Sequence, residues 1–481
     1  DMANTNLLIL MSDEHDPRYS GCYGHPQVKS PNMDRLAENG TRFETAYTPS
    51  PICVPARASF ATGRPVYETR CWDNAHGYGG EISGWGQRLI KAGHRVESIG
   101  KLHYKNAEAP TGFSKQHQPM HLKQGVGTVW GSIKEPFAVL PEPWRMFNKI
   151  GPGISNYNLY DRKNATAACE WIKARAVEQD EKPWVLYVGF VAPHYPLVVP
   201  SQFYKMYPIE EIPLPKLHPR DGHTRHPWVD TLDKVIGQDD FFSDDEERKQ
   251  AIAAYWGLCS FVDAEIGLIL DALRQNNFEE NTRIIYTSDH GDNLGARGLW
   301  GKSVLYEEST RIPMIVAGPD VPKNKVSSTP TTLLDLHPTA LTACGAPEEE
   351  DLEGSSLIDL ANIADDPERL VTSEYHAMGA PSSAFMLRRG RWKFNYYEGY
   401  EPELFDLVAD PEETNNLAAD NASISILDEF EAILRNRVDP ATIDRLAKND
   451  MAALIESYGG REKATDLGRT GSTPVPGQAS E

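Results

Sequence analysis

The run Cys53-Val54-Pro55-Ala56-Arg57-Ala58-Ser59-Phe60-Ala61-Thr62-Gly63-Arg64 gathers residue types that handle anions. Pro55 suits the first turn of a helix and Gly63 its end, so Cys53 falls at or just before a helix N-terminus. Backbone N–H groups there favour negative charge, and Arg57, one turn on, adds a fixed guanidinium. The thiol has two readings: a reactive, low-pKa thiolate, or an inert buried side chain. Asp13 follows the apolar stretch Leu8-Ile9-Leu10-Met11, and Asp289 follows Ile285-Tyr286-Thr287-Ser288 with His290 beside it. A single aspartate after an apolar strand is commonly a helix cap. Repetition at two strand ends points instead to hard oxygen donors plus one imidazole, a set that suits Ca2+, Mg2+ or Mn2+. A third strand end, from Gly189 onward, carries His194.

These groups share a site only if their strands end on one side of one sheet. Asn6–Met11, Arg95–Ile99, Trp184–Phe190, Arg283–Thr287 and Arg311–Ala317 have strand length and apolar content. Helical patterns lie between them: Pro31 to a glycine stop at Gly40, Trp85–Ala92, Asn158–Glu178 and Asp244–Gln275. The alternation predicts an α/β fold, a large mixed and mostly parallel sheet sandwiched by helices, with ligands beyond the strands' carboxyl ends. After about residue 367 the pattern changes to short strands at hairpin distances, Leu370–Tyr375, Ala384–Leu387 and Trp392–Tyr397, then a helix at Ile424–Arg437. The expected division is a catalytic domain over 1–366, a small antiparallel sheet plus helix over 367–458, and an extended tail over 459–481. Residues 105–157 and 200–242 read as long loops, either binding lids or disorder.

The net charge of −21 runs against a nucleic-acid binder, so an anionic ligand must be drawn by local cations or metal. No stretch of eighteen apolar residues occurs, and no membrane span is expected. Six scattered cysteines give no disulfide framework. Met2 reads as the natural start, with no secretory pattern after it, so the expected location is the cytoplasm.

The Cys53 run, Cys-x-Pro-x-Arg followed by Thr62-Gly63-Arg64, resembles the signature of the formylglycine-dependent sulfatases, an alkaline phosphatase-like family. The resemblance continues in order along the chain: Asp13; Gly100-Lys101-Leu102-His103; Pro193-His194-Tyr195-Pro196; Ser288-Asp289-His290-Gly291; Trp300-Gly301-Lys302; and Leu404-Phe405-Asp406-Leu407 with Asn416-Leu417-Ala418. It implies that Cys53 is oxidised by a formylglycine-generating enzyme to Cα-formylglycine. It further implies that Asp13, residue 53, Asp289 and His290 hold one divalent metal, Ca2+ first, with Mn2+ and Mg2+ as alternatives. The hydrated aldehyde would attack sulfur with one hydroxyl and expel sulfate through the other. By the same resemblance Arg57, Lys101 and Lys302 supply positive field, His194 and Lys302 serve the leaving oxygen, and His103 assists release.

Asp13-Glu14 and Asp289-His290 depart from the double-aspartate and Asp-Asn forms of many sulfatases. They resemble the branch with choline sulfatases and phosphonate monoester hydrolases, in which Glu14 is not a ligand. Within that branch Asn74 is expected to contact the transferred group. Glu374, Tyr104 and Trp130 are candidates to face a substrate ammonium. The implied substrate is a small-molecule sulfate ester, and the implied assembly a homo-oligomer, dimer or tetramer. A phosphonate monoester or phosphodiester hydrolase on the same scaffold is the alternative, and a non-catalytic metal-binding protein with an unmodified Cys53 a further one.

Overall fold

The computed structural model describes residues 5–178, 180–349, 351–469 and 472–478; the expected start at Met2 lies outside them. Eight strands form the main sheet: β1 (Asn6–Asp13), β2 (Gly40–Phe43), β3 (Arg95–Lys101), β4 (Lys115–Met120), β5 (Trp184–Pro193), β6 (Thr282–Ser288), β7 (Met314–Ala317) and β8 (Lys325–Ser327). Their order is β8-β2-β7-β6-β1-β5-β3-β4, and only β7 runs against its neighbours. This is the expected mixed, mostly parallel sheet. The central strands β1 and β5 are buried along their whole length, as a sheet covered on both faces requires.

Alternate residues of β1 feed two cores. Leu8 and Leu10 pack with the helix Asp245–Gln275 on one face, while Leu7, Ile9 and Met11 pack with Ala56, Phe60 and Leu336 on the other. The helix Asp245–Gln275 is capped by Asp244, whose carboxylate accepts from the Glu247 N–H at 2.8 Å. It is long and apolar enough to cross a membrane, but 89% of that stretch is buried inside the fold.

A second sheet runs β9 (Val371–Tyr375), β10 (Ala384–Arg389), β11 (Trp392–Tyr397) and β12 (Glu403–Asp406), all antiparallel. Phe385, Leu387, Phe394 and Leu404 cover Phe430 and Leu434 of the helix Ile424–Arg437, whereas Ala384 and Met386 face Trp228 and Leu232.

Several expectations need correction. The region 105–157 contributes β4, whose sequence Lys-Gln-His-Gln-Pro-Met has no apolar alternation because it is an edge strand. The region 200–242 contains the helix Pro227–Ile236, whose Trp228 and Leu232 carry the second sheet. Gly40 is not a helix stop: the helix Pro31–Glu38 ends at Asn39, and Gly40 opens β2 where a Cβ would lie 2.1 Å from the Val316 carbonyl oxygen. A further helix, Pro440–Ser457, was not anticipated. The segment from 459 is not simply extended; it holds the helix Arg461–Thr465, and residues 466–469 and 472–474 line the main cavity. We retain 366/367 as a proposed boundary, between the helix Leu357–Ala361 and β9.

Candidate active site

Four neighbouring strands of the main sheet end on one side, three delivering one polar residue each and the fourth two. β1 ends at Asp13, β3 at Lys101, β5 runs into His194, and β6 runs into Asp289 and His290. The helix Cys53–Thr62, every residue of it buried, points its first residue at the same place.

Asp13, Cys53, Asp289 and His290 each aim one donor atom at a common point, all four atoms lying within 4.8 Å of one another. The Cys53 Sγ is 3.2 Å from the His290 Nε2 and 3.8 Å from an Asp13 oxygen. His290 places its Nδ1 2.9 Å from the Gly291 carbonyl, which can only accept, so Nδ1 carries the proton and Nε2 presents a lone pair to the cluster. Two hard carboxylates, an imidazole lone pair and a side chain at 53 form a donor set that fits one divalent cation.

Around this set the charges are fixed. The Arg57 guanidinium donates to Asp289 at 3.1 Å and to Asp13 at 3.3 Å, and also to the Lys101 carbonyl and the Tyr187 hydroxyl. The Lys101 ammonium donates to Asp13. Burial alone would raise the Asp13 carboxyl, but Lys101, with Arg57 behind it, holds it well below the usual carboxylate range. Lys302 donates to Glu14 at 2.7 Å and lies 3.5 Å from the His194 Nε2, whose ring donates from Nδ1 to the Tyr195 carbonyl. Burial, then Lys302, keeps His194 well below the ordinary histidine value. Burial, then Lys101, does the same for His103.

Of the two readings of the thiol, the low-pKa thiolate is not met. Burial pushes the Cys53 thiol up to about 12, and the Asp13 carboxylate adds to the rise. The helix N-terminus does not outweigh desolvation beside two carboxylates.

A cavity of about 590 Å3 opens over the cluster, lined by Cys53, Asn74, Lys101, His103, His194 and Lys302, with Trp144, Met146, Trp300 and Met378 as its apolar surface. Asn74 accepts the Val54 N–H through Oδ1 at 3.1 Å, which ties it to the first turn of the Cys53 helix. Three expected substrate contacts do not line this space. Tyr104 is buried against Tyr78. Trp130 packs on Trp144 and donates to the Gly468 carbonyl. Glu374 accepts from the Tyr67 N–H and is paired with His376 at 2.8 Å. Arg57 also lies behind the carboxylates rather than in the cavity, so it fixes them instead of touching a ligand.

Sequence reasoning missed Trp144, Glu14 as the partner of Lys302, and residues 466–469 and 472–474 in the cavity wall. Glu14 had a legible signal in its adjacency to Asp13; the other two sit in segments without periodicity.

Comparison with known proteins agrees with this geometry. A family model described as Sulfatase matches residues 5–346, and one described as N-sulphoglucosamine sulphohydrolase, C-terminal, matches residues 295–439. The chain is 30% identical over 435 residues to a choline-sulfatase of Rhizobium meliloti, covering 86% of this chain and 82% of that one. It is 30% identical over 483 residues to arylsulfatase K of Canis lupus familiaris, covering 94% and 87%. In fold it is similar to the phosphonate monoester hydrolase of Agrobacterium radiobacter, with a TM-score of 0.74 at 21% identity over 90% of this chain and 95% of that one.

Proposed function

The chain belongs to the sulfatase family and is a sulfuric ester hydrolase, and from that premise we propose that it breaks the S–O bond of sulfate esters with a formylglycine made from Cys53 and one divalent cation. The observation that carries the reading is the position of the Cys53 side chain, at the floor of the cavity and within 3.2 Å of the His290 lone pair. An oxygen-bearing side chain there would complete a donor set with Asp13, Asp289 and His290. The cation, with Ca2+ as first choice and Mn2+ or Mg2+ as alternatives, would supply Lewis-acid charge, and the hydrated aldehyde an oxygen nucleophile with its own release step.

The chain's own residues do the rest. Lys101 and Lys302 set positive charge on the cavity wall, where the sulfate oxygens would lie in a site of net acidic surroundings. Lys302 is held by Glu14 and faces the His194 Nε2, so it carries the proton that a leaving alcohol would take, and His194 orients it. Arg57 keeps Asp13 and Asp289 at fixed separation. His103 borders the same space and is assigned to the release step. Conversion of Cys53 implies a formylglycine-generating enzyme as maturation partner.

The test joins mass and turnover. The peptide containing residue 53 should be lighter than its thiol form by the exchange of thiol for aldehyde, and the same preparation should hydrolyse an aryl sulfate. Cys53→Ala should retain its fold by circular dichroism and lose turnover. Unchanged activity in that variant refutes the reading.

A further inference from the structure

Residues 466–469 and 472–474 form one wall of the cavity that holds Cys53, Lys101 and Lys302. Three contacts seat this strap. Trp130 donates through its backbone N–H to the Leu467 carbonyl at 3.3 Å and through its indole to the Gly468 carbonyl at 3.1 Å. The Tyr157 hydroxyl donates to the Thr473 carbonyl. Gly468 has φ +74°, and a Cβ there would stand 2.1 Å from the Gly127 carbonyl oxygen, so the strap lies down at this point only because the residue is glycine.

The strap delivers Thr473 to His103, with Oγ1 3.0 Å from Nε2. His103 is buried, sits at φ +56°, and its Nδ1 has no hydrogen-bond partner among the described residues. An imidazole with one side-chain contact takes its ring orientation from that contact. We propose that Thr473 is a positioning residue for this hydrolase: its hydroxyl fixes the ring of His103, and residues 466–469 and 472–474 form a strap that completes the catalytic cavity. The proposal rests on the reading of His103 as a group that acts in that cavity. Thr473 itself touches no reacting atom. It sets where the ring of His103 points.

The test compares wild type with Thr473→Val, Thr473→Ser and Gly468→Ala, each with the mass of the residue-53 peptide checked so that conversion is equal. On an aryl sulfate, Thr473→Val should lower kcat about tenfold with KM nearly unchanged, and Thr473→Ser should restore it. Gly468→Ala should give a similar loss and faster proteolysis of the segment beyond residue 458. Independently of turnover, the ring-nitrogen NMR signals of His103 should shift in Thr473→Val and return in Thr473→Ser. Wild-type kcat together with unshifted His103 signals in Thr473→Val overturns the proposal, and so does a Thr473→Ser variant as impaired as the valine. A wild type that turns over no sulfate ester would defeat the proposed function instead, and the NMR comparison would still decide the role of Thr473.

Discussion

Lys302 and Glu14 form an ion pair of 2.7 Å at the edge of the cluster of Asp13, Cys53, Asp289 and His290, although Glu14 directly follows one of the proposed cation ligands. The glutamate is thus committed to an ammonium group, and that ammonium reaches toward the cavity beside His194. Removing Glu14 strips the ammonium of its partner, and of the two residues only Lys302 lines the cavity.

Lys302→Met is expected to reduce kcat on an aryl sulfate by about a hundredfold or more, the scale of a lost proton donor. Glu14→Gln keeps the ammonium in place and should cost about tenfold or less in kcat. Steady-state kinetics on the two variants checks this, and equal losses would contradict the division of roles.

Arg57→Lys should weaken cation binding rather than abolish it. Arg57 spans Asp13, Asp289, the Lys101 carbonyl and the Tyr187 hydroxyl, a pattern that a single ammonium cannot reproduce. The expected loss in metal affinity is about tenfold to a hundredfold, read by calorimetric titration of the stripped protein.

Removal of divalent metal by a chelator should abolish turnover and lower Tm. Adding back Ca2+, Mn2+ or Mg2+ singly should restore both, and the rise in Tm with concentration follows from binding to the folded state alone. A stripped protein with unaltered Tm and full activity would remove the cation from the mechanism.

His337 gives a pH dependence remote from the site. Burial, opposed by donation to the Ala61 carbonyl at 3.0 Å, lowers it from 6.5 to about 4. Its folded-state value is depressed, so the unfolded chain binds the extra proton between those two values. The stability it contributes is full above pH 6.5 and is lost as pH falls toward 4, up to about 3 kcal/mol. Denaturant unfolding across that window should show a shallower pH slope for His337→Gln than for wild type, and parallel slopes would contradict the assignment.

An aryl sulfate should be turned over with a higher kcat/KM than the matching aryl phosphonate. The relatives at 30% identity are sulfatases, whereas the phosphonate monoester hydrolase shares the fold at 21% identity. Side-by-side rates on one preparation decide between them.

The cluster was legible because each member stands at a forced position. Asp13, Asp289 and His290 directly follow apolar strand runs, and Cys53 opens a helix that Pro55 and Gly63 delimit. What residue type cannot give is direction. Tyr104, Trp130 and Glu374 have suitable chemistry for a substrate face, but their side chains turn to Tyr78, Gly468 and His376. The strand β4 was hidden because an edge position tolerates its Pro119 and polar residues. Thr473 was hidden for a different reason: it lies in a run without period, and its partner is 370 positions away.

Cys53 is 1% exposed, and the helix that starts with it is buried from end to end. A small ester can reach its side chain down the cavity, but another protein cannot. Any enzyme that alters this residue must therefore meet it while the nascent polypeptide is still open. Synthesis grants that interval, since Cys53 leaves the ribosome long before the strap that walls it in has been translated.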